Sequence, residues 1–344
     1  MASIATVLDN NADITRRYGS GLVAVFVGGT SGIGESTARA FIRNTDASRA
    51  YLIGRDQTRA MQIIEELHQI KPDSQVTFIQ SDVSLLREVD DACSAIQQKE
   101  DKVNILFLSP GVGTTTGRDE TDEGLDKKLN LHYYSRMRFV ANLLPQLMKA
   151  GDESEQTVTH ERPLSRVISV LEAGGEAALH LDDLSLQTHY SLRNCAKHAI
   201  TMNSVSMEHL AASYPQISFI HSFPGIVRTR LNRNFSTATK YAVTALMVLA
   251  RPWEIKLNES GERHLYAASS PRFPPQKDKD GIPDVAEGSD GHPGSGFYRL
   301  DSTGSTYKPS KIMEVYRADG VRSSIWKHTL DVFAKVRGAP EVEP

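Results

Sequence analysis

Six short apolar runs recur between residues 22 and 223, separated by stretches with helical spacing. The first, "LVAVFVGG" (22–29), is unbroken and rich in β-branched residues, as befits a strand covered on both faces. "RAYLIG" (49–54), "QVTFIQ" (75–80), "VNILFLS" (103–109), "RVISVL" (166–171) and "ISFIHSF" (217–223) repeat it. Between them, "GESTARAFIRN", "QTRAMQIIEELHQI" (57–70, stopped by Pro72), 85–100, about 124–150 and about 190–212 predict helices. Strands separated by helices require crossover connections, which are almost always right-handed. The chain is therefore expected to form an α/β fold with a doubly wound parallel sheet. "FYRLDSTG" offers a seventh strand, and "KIMEVYRADGVRSSIWKHTLDVFAKV" predicts a C-terminal helical extension.

The expected organisation is an N-terminal extension (1–20), a nucleotide-binding domain holding the active site (21–270), a long loop (271–296) and a C-terminal extension (297–344). The loop is rich in Pro, Gly and Asp, and "GDESEQTVTHERP" (151–163) is a polar surface insertion. The chain has 344 residues, 40% hydrophobic and 24% charged, as expected of a globular protein. Its net charge of −3 argues against a nucleic-acid or anionic-membrane surface. Cys93 and Cys195 form neither a disulfide framework nor a metal set. Without a signal-like or membrane-spanning run, a cytoplasmic protein is expected.

"VFVGGTSGIGE" places Gly28, Gly32 and Gly34 between the first strand and its helix. Glycines there let backbone N–H groups approach a pyrophosphate, whose charge the helix N-terminus attracts. The spacing Gly28-x-x-x-Gly32-Ile33-Gly34, with Thr30 and Ser31 inside the turn, resembles the short-chain dehydrogenase/reductase family, a Rossmann-fold group. Further likenesses follow in the family's order. Asp82, with Val83, follows the third strand where the family contacts adenine. Gly111 ends the fourth strand, with Ser109 and Pro110 in place of the family's Asn-Ala. "FPGIVRT" resembles its Pro-Gly-x-x-x-Thr loop beside the nicotinamide, giving Pro224, Gly225 and Thr229. The longer C-terminus is similar to that of a subgroup found in fungal natural-product biosynthesis. Arg55 ends the second strand where an acid would bind the ribose hydroxyls of NADH. A guanidinium there, with the Ser31 hydroxyl, suits the 2′-phosphate of NADPH/NADP instead.

The resemblance implies a catalytic Tyr, a Lys four residues later, a Ser and an Asn. Tyr190 matches. Asn194 occupies the lysine position, Glu172 the serine position and His132 the asparagine position, with Asn130 two residues away. Lys197, seven residues past Tyr190, is one substitute for the lysine. His132, Tyr133 or Tyr134 could supply the polarisation or the proton. Glu172 and His132 are expected to titrate nearer neutrality than a phenol lacking a cation.

These expectations describe an NADPH-dependent oxidoreductase that reduces a ketone or conjugated enone of a small natural-product intermediate. The alternative is a non-redox isomerase, cyclase or dehydratase on the same fold, or a cofactor-sensing protein. A small-molecule substrate is expected, with no metal, nucleic acid or membrane partner. Self-association into a homo-oligomer is compatible with the sequence.

Overall fold

The fold is seen in a computed structural model, which describes residues 2–152, 162–229, 248 and 250–337. Most of the 151–163 insertion therefore lies outside the described residues. Seven parallel strands form one sheet in the order β3-β2-β1-β4-β5-β6-β7. They are β1 Val23–Val27, β2 Arg49–Gly54, β3 Gln75–Gln80, β4 Ile105–Leu108, β5 Arg166–Val170, β6 Ser218–Ser222 and β7 Phe297–Leu300. β1 pairs with β2 on one side (Val25 opposite Tyr51) and with β4 on the other (Val25 opposite Leu106). The strand order reverses between them, so a crevice opens at the carboxyl ends of β1 and β4.

Alternation along β1 divides the core. Val23, Val25 and Val27 face one apolar layer, while Ala24 and Phe26 face the other. β1 is shorter than its apolar run because Gly28 and Gly29 belong to the turn, where Gly28 adopts φ +82°. β4 begins late because Asn104 uses its side chain as a brace. Its Oδ1 accepts from Val23 N–H at 2.9 Å, and its Nδ2 donates to Leu164 O at 3.0 Å.

The helices on either side are α1 Ile4–Ala12, α2 Ile14–Tyr18, α3 Gly32–Asn44, α4 Gln57–Ile70, α5 Leu86–Gln97, α6 Lys127–Leu129, α7 Ser135–Asp152, α8 Leu192–Ser213, α9 Leu257–Ser269, α10 Lys311–Ala318 and α11 Val321–Arg337. Two features are not apparent from periodicity. The N-terminal segment is helical and integral, burying Val7 and Ile14 completely, while Asn11 Nδ2 donates to Glu262 Oε2 at 2.8 Å. α9 packs flat on α3 because Gly261 lacks a side chain; a Cβ there would lie 2.4 Å from Ser36 Oγ.

The C-terminal extension contributes more than an appended tail would. Arg299 on β7 pairs with Glu176 at 2.7 Å, both side chains almost wholly buried. Tyr316 on α10 accepts the Leu179 N–H at 2.8 Å. Both bonds anchor the segment that follows β5.

Candidate active site

The helical stretch from Lys127 to Asp152 is interrupted by one π-helical turn, Asn130–Tyr134. Such turns often mark functional positions. Successive residues on this wider turn leave it in different directions. Tyr133 and Tyr134 enter the core. Tyr133 Oη lies 2.7 Å from Ser206 Oγ, and Tyr134 Oη lies 3.0 Å from Ser185 Oγ and 2.9 Å from His328 Nε2. Asn130 turns toward the loop after β3, donating to Ser84 O at 2.7 Å. His132 alone of the four enters the wall of the crevice.

That crevice is a cleft of about 410 Å³, within the range typical of cofactor sites, about 300–1,000 Å³. Gly28, Thr30, Ser31, Gly32 and Ile33 form its middle, while Arg55, Asp82 and Val83 lie at one end. Ser109, Gly111, His132, Pro224, Gly225 and Thr229 lie toward the other. Gly34 sits just behind this wall, where it permits the turn. A Cβ on it would lie 2.4 Å from Gly28 O and 2.6 Å from Ser109 Oγ. Ser31 precedes α3 without making a side-chain capping bond, and among the described residues no other side chain is bonded to the first-turn N–H groups. A dinucleotide pyrophosphate fits that uncapped helix end.

Arg55 is half exposed, and its nearest carboxylate is Asp82 at 3.7 Å. Such a contact is weak in water. The two carboxylates nearer in sequence are engaged elsewhere: Glu35 pairs with Arg39 and Arg59, and Asp56 caps the Arg59 N–H. Asp82 is oriented by Ser84, whose hydroxyl donates to it at 2.8 Å.

The remaining candidates for chemistry lie off the cleft wall. Tyr190 packs against the core, and its hydroxyl is buried with no hydrogen-bond partner. Burial, with the Cys195 thiol and the Asp126 carboxylate nearby, pushes its pKa far above the usual phenol value. Asn194 lies in the first turn of α8, where its Nδ2 donates to His189 O at 2.8 Å. It therefore closes the 180–189 loop, in which His180 and His189 stack with ring centroids 4.5 Å apart. Lys197 is half-buried on α8, and Glu172 is exposed in the turn after β5.

His132 departs from the expectation of a group titrating near neutrality. Burial, reinforced by Arg136 and Lys128, lowers its pKa to about 3. It is therefore a neutral imidazole at physiological pH. Nε2 accepts from Val112 N–H at 3.1 Å, which leaves the proton on Nδ1.

Tyr190→Phe should be benign. It removes an unpartnered buried hydroxyl, so stability is expected to stay level or rise by up to about 1 kcal/mol. Turnover is expected to change less than about threefold, equivalent to ~0.6 kcal/mol of barrier. A melting curve and steady-state rates check both; a loss of two orders of magnitude would restore Tyr190 to the chemistry.

A residue that the sequence reading missed is Arg136, on α7. It is 1% exposed, yet it reaches the cleft wall. Its guanidinium donates to Leu131 O (3.2 Å), Ser169 Oγ (2.7 Å), Val170 O (2.8 Å) and Pro110 O (2.6 Å). Those oxygens lie at the carboxyl ends of β4 and β5 and in the π turn, so Arg136 fastens all three together. Ser169 Oγ donates onward to Asn203 Oδ1 at 2.9 Å, and Asn203 Nδ2 returns to His132 O at 2.7 Å. The available signal was Arg136's helical spacing with the apolar residues Tyr133, Phe139 and Val140.

Comparison with known proteins agrees with this architecture. Residues 22–157 match the short chain dehydrogenase family. Oxidoreductase AN1596 of Emericella nidulans is 43% identical over 96% of this chain and 97% of its own. Oxidoreductase andH of Emericella variicolor is 37% identical over 94% of each. Among solved structures, an NADPH-bound carbonyl reductase from chicken fatty liver superposes with a TM-score of 0.55 at 16% identity. That match covers 84% of this chain and 99% of the reductase. The chain belongs to the short-chain dehydrogenase family, whose members are nicotinamide-dependent oxidoreductases. Among the described residues no helix is long and apolar enough to cross a membrane, and no cluster of His, Cys, Asp and Glu suits a metal.

Proposed function

We propose that this protein is an NADPH-dependent reductase acting on a ketone or conjugated enone of a small natural-product intermediate. The observation that carries the proposal is the single cleft joining Arg55, the uncapped start of α3 and the His132–Arg136 end. The N–H groups at the start of α3 would hold the pyrophosphate. Arg55 would meet the 2′-phosphate, Asp82 and Val83 the adenine, and Pro224, Gly225 and Thr229 the nicotinamide. When bound, the cofactor supplies a hydride. The protein's own part is to orient the substrate, exclude water and present neutral or cationic hydrogen-bond donors at the reacting end.

The position of Tyr190, outside the cleft wall, favours one second reading: isomerisation, cyclisation or dehydration without net redox change. Supplying the substrate with NADPH deuterated at C4 separates the two. Label in the product supports the reductase; unlabelled conversion that persists with NADP⁺ supports the alternative. The cofactor preference is tested separately. NADPH should bind well ahead of NADH, and Arg55→Ala should erase most of a gap of about 10- to 150-fold, the scale of one charge-assisted contact. Equal calorimetric affinities in the wild type would remove Arg55 from that role.

A further inference from the structure

Arg136 raises a charge problem that its structural bonds leave unsolved. A buried cation is ordinarily matched by a buried carboxylate, because desolvating an isolated charge is costly. Every acceptor around this guanidinium is a neutral oxygen: three backbone carbonyls and one hydroxyl. Among the described residues no carboxylate pairs with it. Burial lowers its pKa to about 9, which leaves it charged at neutral pH.

Its donors can be counted. A guanidinium has five N–H groups. One on Nε and both on Nη1 are engaged, as is one of the two on Nη2. One Nη2 N–H is left uncommitted on a residue that lines the cleft. The wall beside it is apolar or neutral at Leu131, Val170, Leu171 and the uncharged His132, and the cation Lys127, which also lines the cleft, is paired with Asp119 at 3.2 Å.

We infer that Arg136 is the oxyanion-binding group of this site, its remaining N–H directed to the carbonyl oxygen of the substrate. This rests on the carbonyl-reduction reading and deepens it. Negative charge gathers on that oxygen as the substrate is reduced, and the cleft then provides the anion that the protein does not. After hydride transfer, the oxygen takes its final proton from solvent water as the product leaves the cleft. Three bonds to the ends of β4 and β5 and one to the π turn hold the cation in place before substrate arrives, so little reorganisation is needed. A cation delivered from α7 also accounts for a site that manages with Asn194 where the family has lysine. The likeness is of charge and not of position.

The probe is 4-nitrophenol, whose anion mimics an enolate and absorbs visibly, compared with nitrobenzene, which has the same ring and no ionisable oxygen. Both are titrated into the protein saturated with NADP⁺, at a pH where the free phenol is mostly protonated. The bound phenol is expected to appear as phenolate and to bind about 10- to 150-fold tighter than nitrobenzene. Arg136→Gln should lose that advantage while keeping its affinity for NADP⁺. Arg136→Lys, which retains the charge, should recover part of it. An unchanged phenolate preference in Arg136→Gln overturns the inference. Should that variant fail to fold, the wild type decides: equal affinity for nitrophenol and nitrobenzene overturns it equally. A protein that binds neither NADP⁺ nor NADPH overturns the reductase reading instead, so the two failures are distinguishable.

Discussion

Valine at position 34 is expected to abolish dinucleotide binding. A Cβ on Gly34 would lie 2.4 Å from the Gly28 carbonyl oxygen and 2.6 Å from Ser109 Oγ. The serine hydroxyl can rotate; the backbone oxygen cannot. Relief requires α3 to move away from the β1 turn, but α9 blocks that path where Gly261 meets Ser36. The strain therefore falls on the turn itself, whose N–H groups face the cleft. NADPH affinity is expected to drop at least 100-fold, about 2.7 kcal/mol. Stability should fall by about 1–3 kcal/mol, the usual cost of overpacking. Calorimetric titration and thermal melting measure both. Wild-type affinity in Gly34→Val would mean that the start of α3 is not where the phosphates sit.

Acidification from pH 7 to pH 5 is expected to destabilise the fold severely, before most carboxylates titrate. Three buried histidines are held neutral. Burial lowers His132 to about 3 and both His221 and His264 to about 4. Their surroundings make protonation expensive. His221 accepts at Nδ1 from or donates to Ser204 Oγ at 2.7 Å, and its Nε2 has no partner. His264 donates to Ser260 O at 2.6 Å and meets the Phe107 ring edge-on. Because the folded pKa lies below the unfolded value near 6.5, this stability is fully present above pH 6.5. It is lost as pH falls toward the folded values, since the unfolded chain binds the protons first. Each group contributes roughly 2 kcal/mol of loss by pH 5, together about 6 kcal/mol. That is comparable with the whole stability of many domains, about 5–15 kcal/mol. Glu176 and Asp183 add to the effect only in stronger acid. Burial alone would raise both, but Arg299 together with the neighbouring hydrogen bonds outweighs it at Glu176, and the combined backbone N–H bonds of Gln187, Thr188 and His189 outweigh it at Asp183. Urea midpoints measured across the range test this; a flat profile between pH 7 and pH 5 would show that these imidazoles are not buried neutral.

Much of the glycine-turn end of the cleft was legible because its signals are local. Glycine spacing, an apolar run and a helix start lie within a dozen residues. Of the positions expected to bind a cofactor, Thr30, Ser31, Arg55, Asp82 and Thr229 line one cleft, and Gly34 lies immediately behind it. The reacting end was less legible because its residues come from β4, the π turn, α7, β5 and the loop after β6. Counting along a helix assumes 3.6 residues per turn. The wider turn at Asn130–Tyr134 breaks that assumption where the choice among Asn130, His132 and the two tyrosines had to be made.

The sequence by itself determined the strand–helix alternation between residues 22 and 223 and the glycine turn. Those follow from periodicity and backbone sterics, which act over a few residues. Only the tertiary structure decided that Tyr190 packs against the core near Cys195 and Asp126, that Asn194 closes a histidine loop, and that Arg136 is buried among neutral oxygens beside the cleft. In the sequence an arginine carries the same symbol whether it is hydrated at the surface or sealed at the carboxyl ends of central strands. The difference lies in which distant carbonyls converge on it, and that convergence exists only once β4, β5 and α7 have packed together.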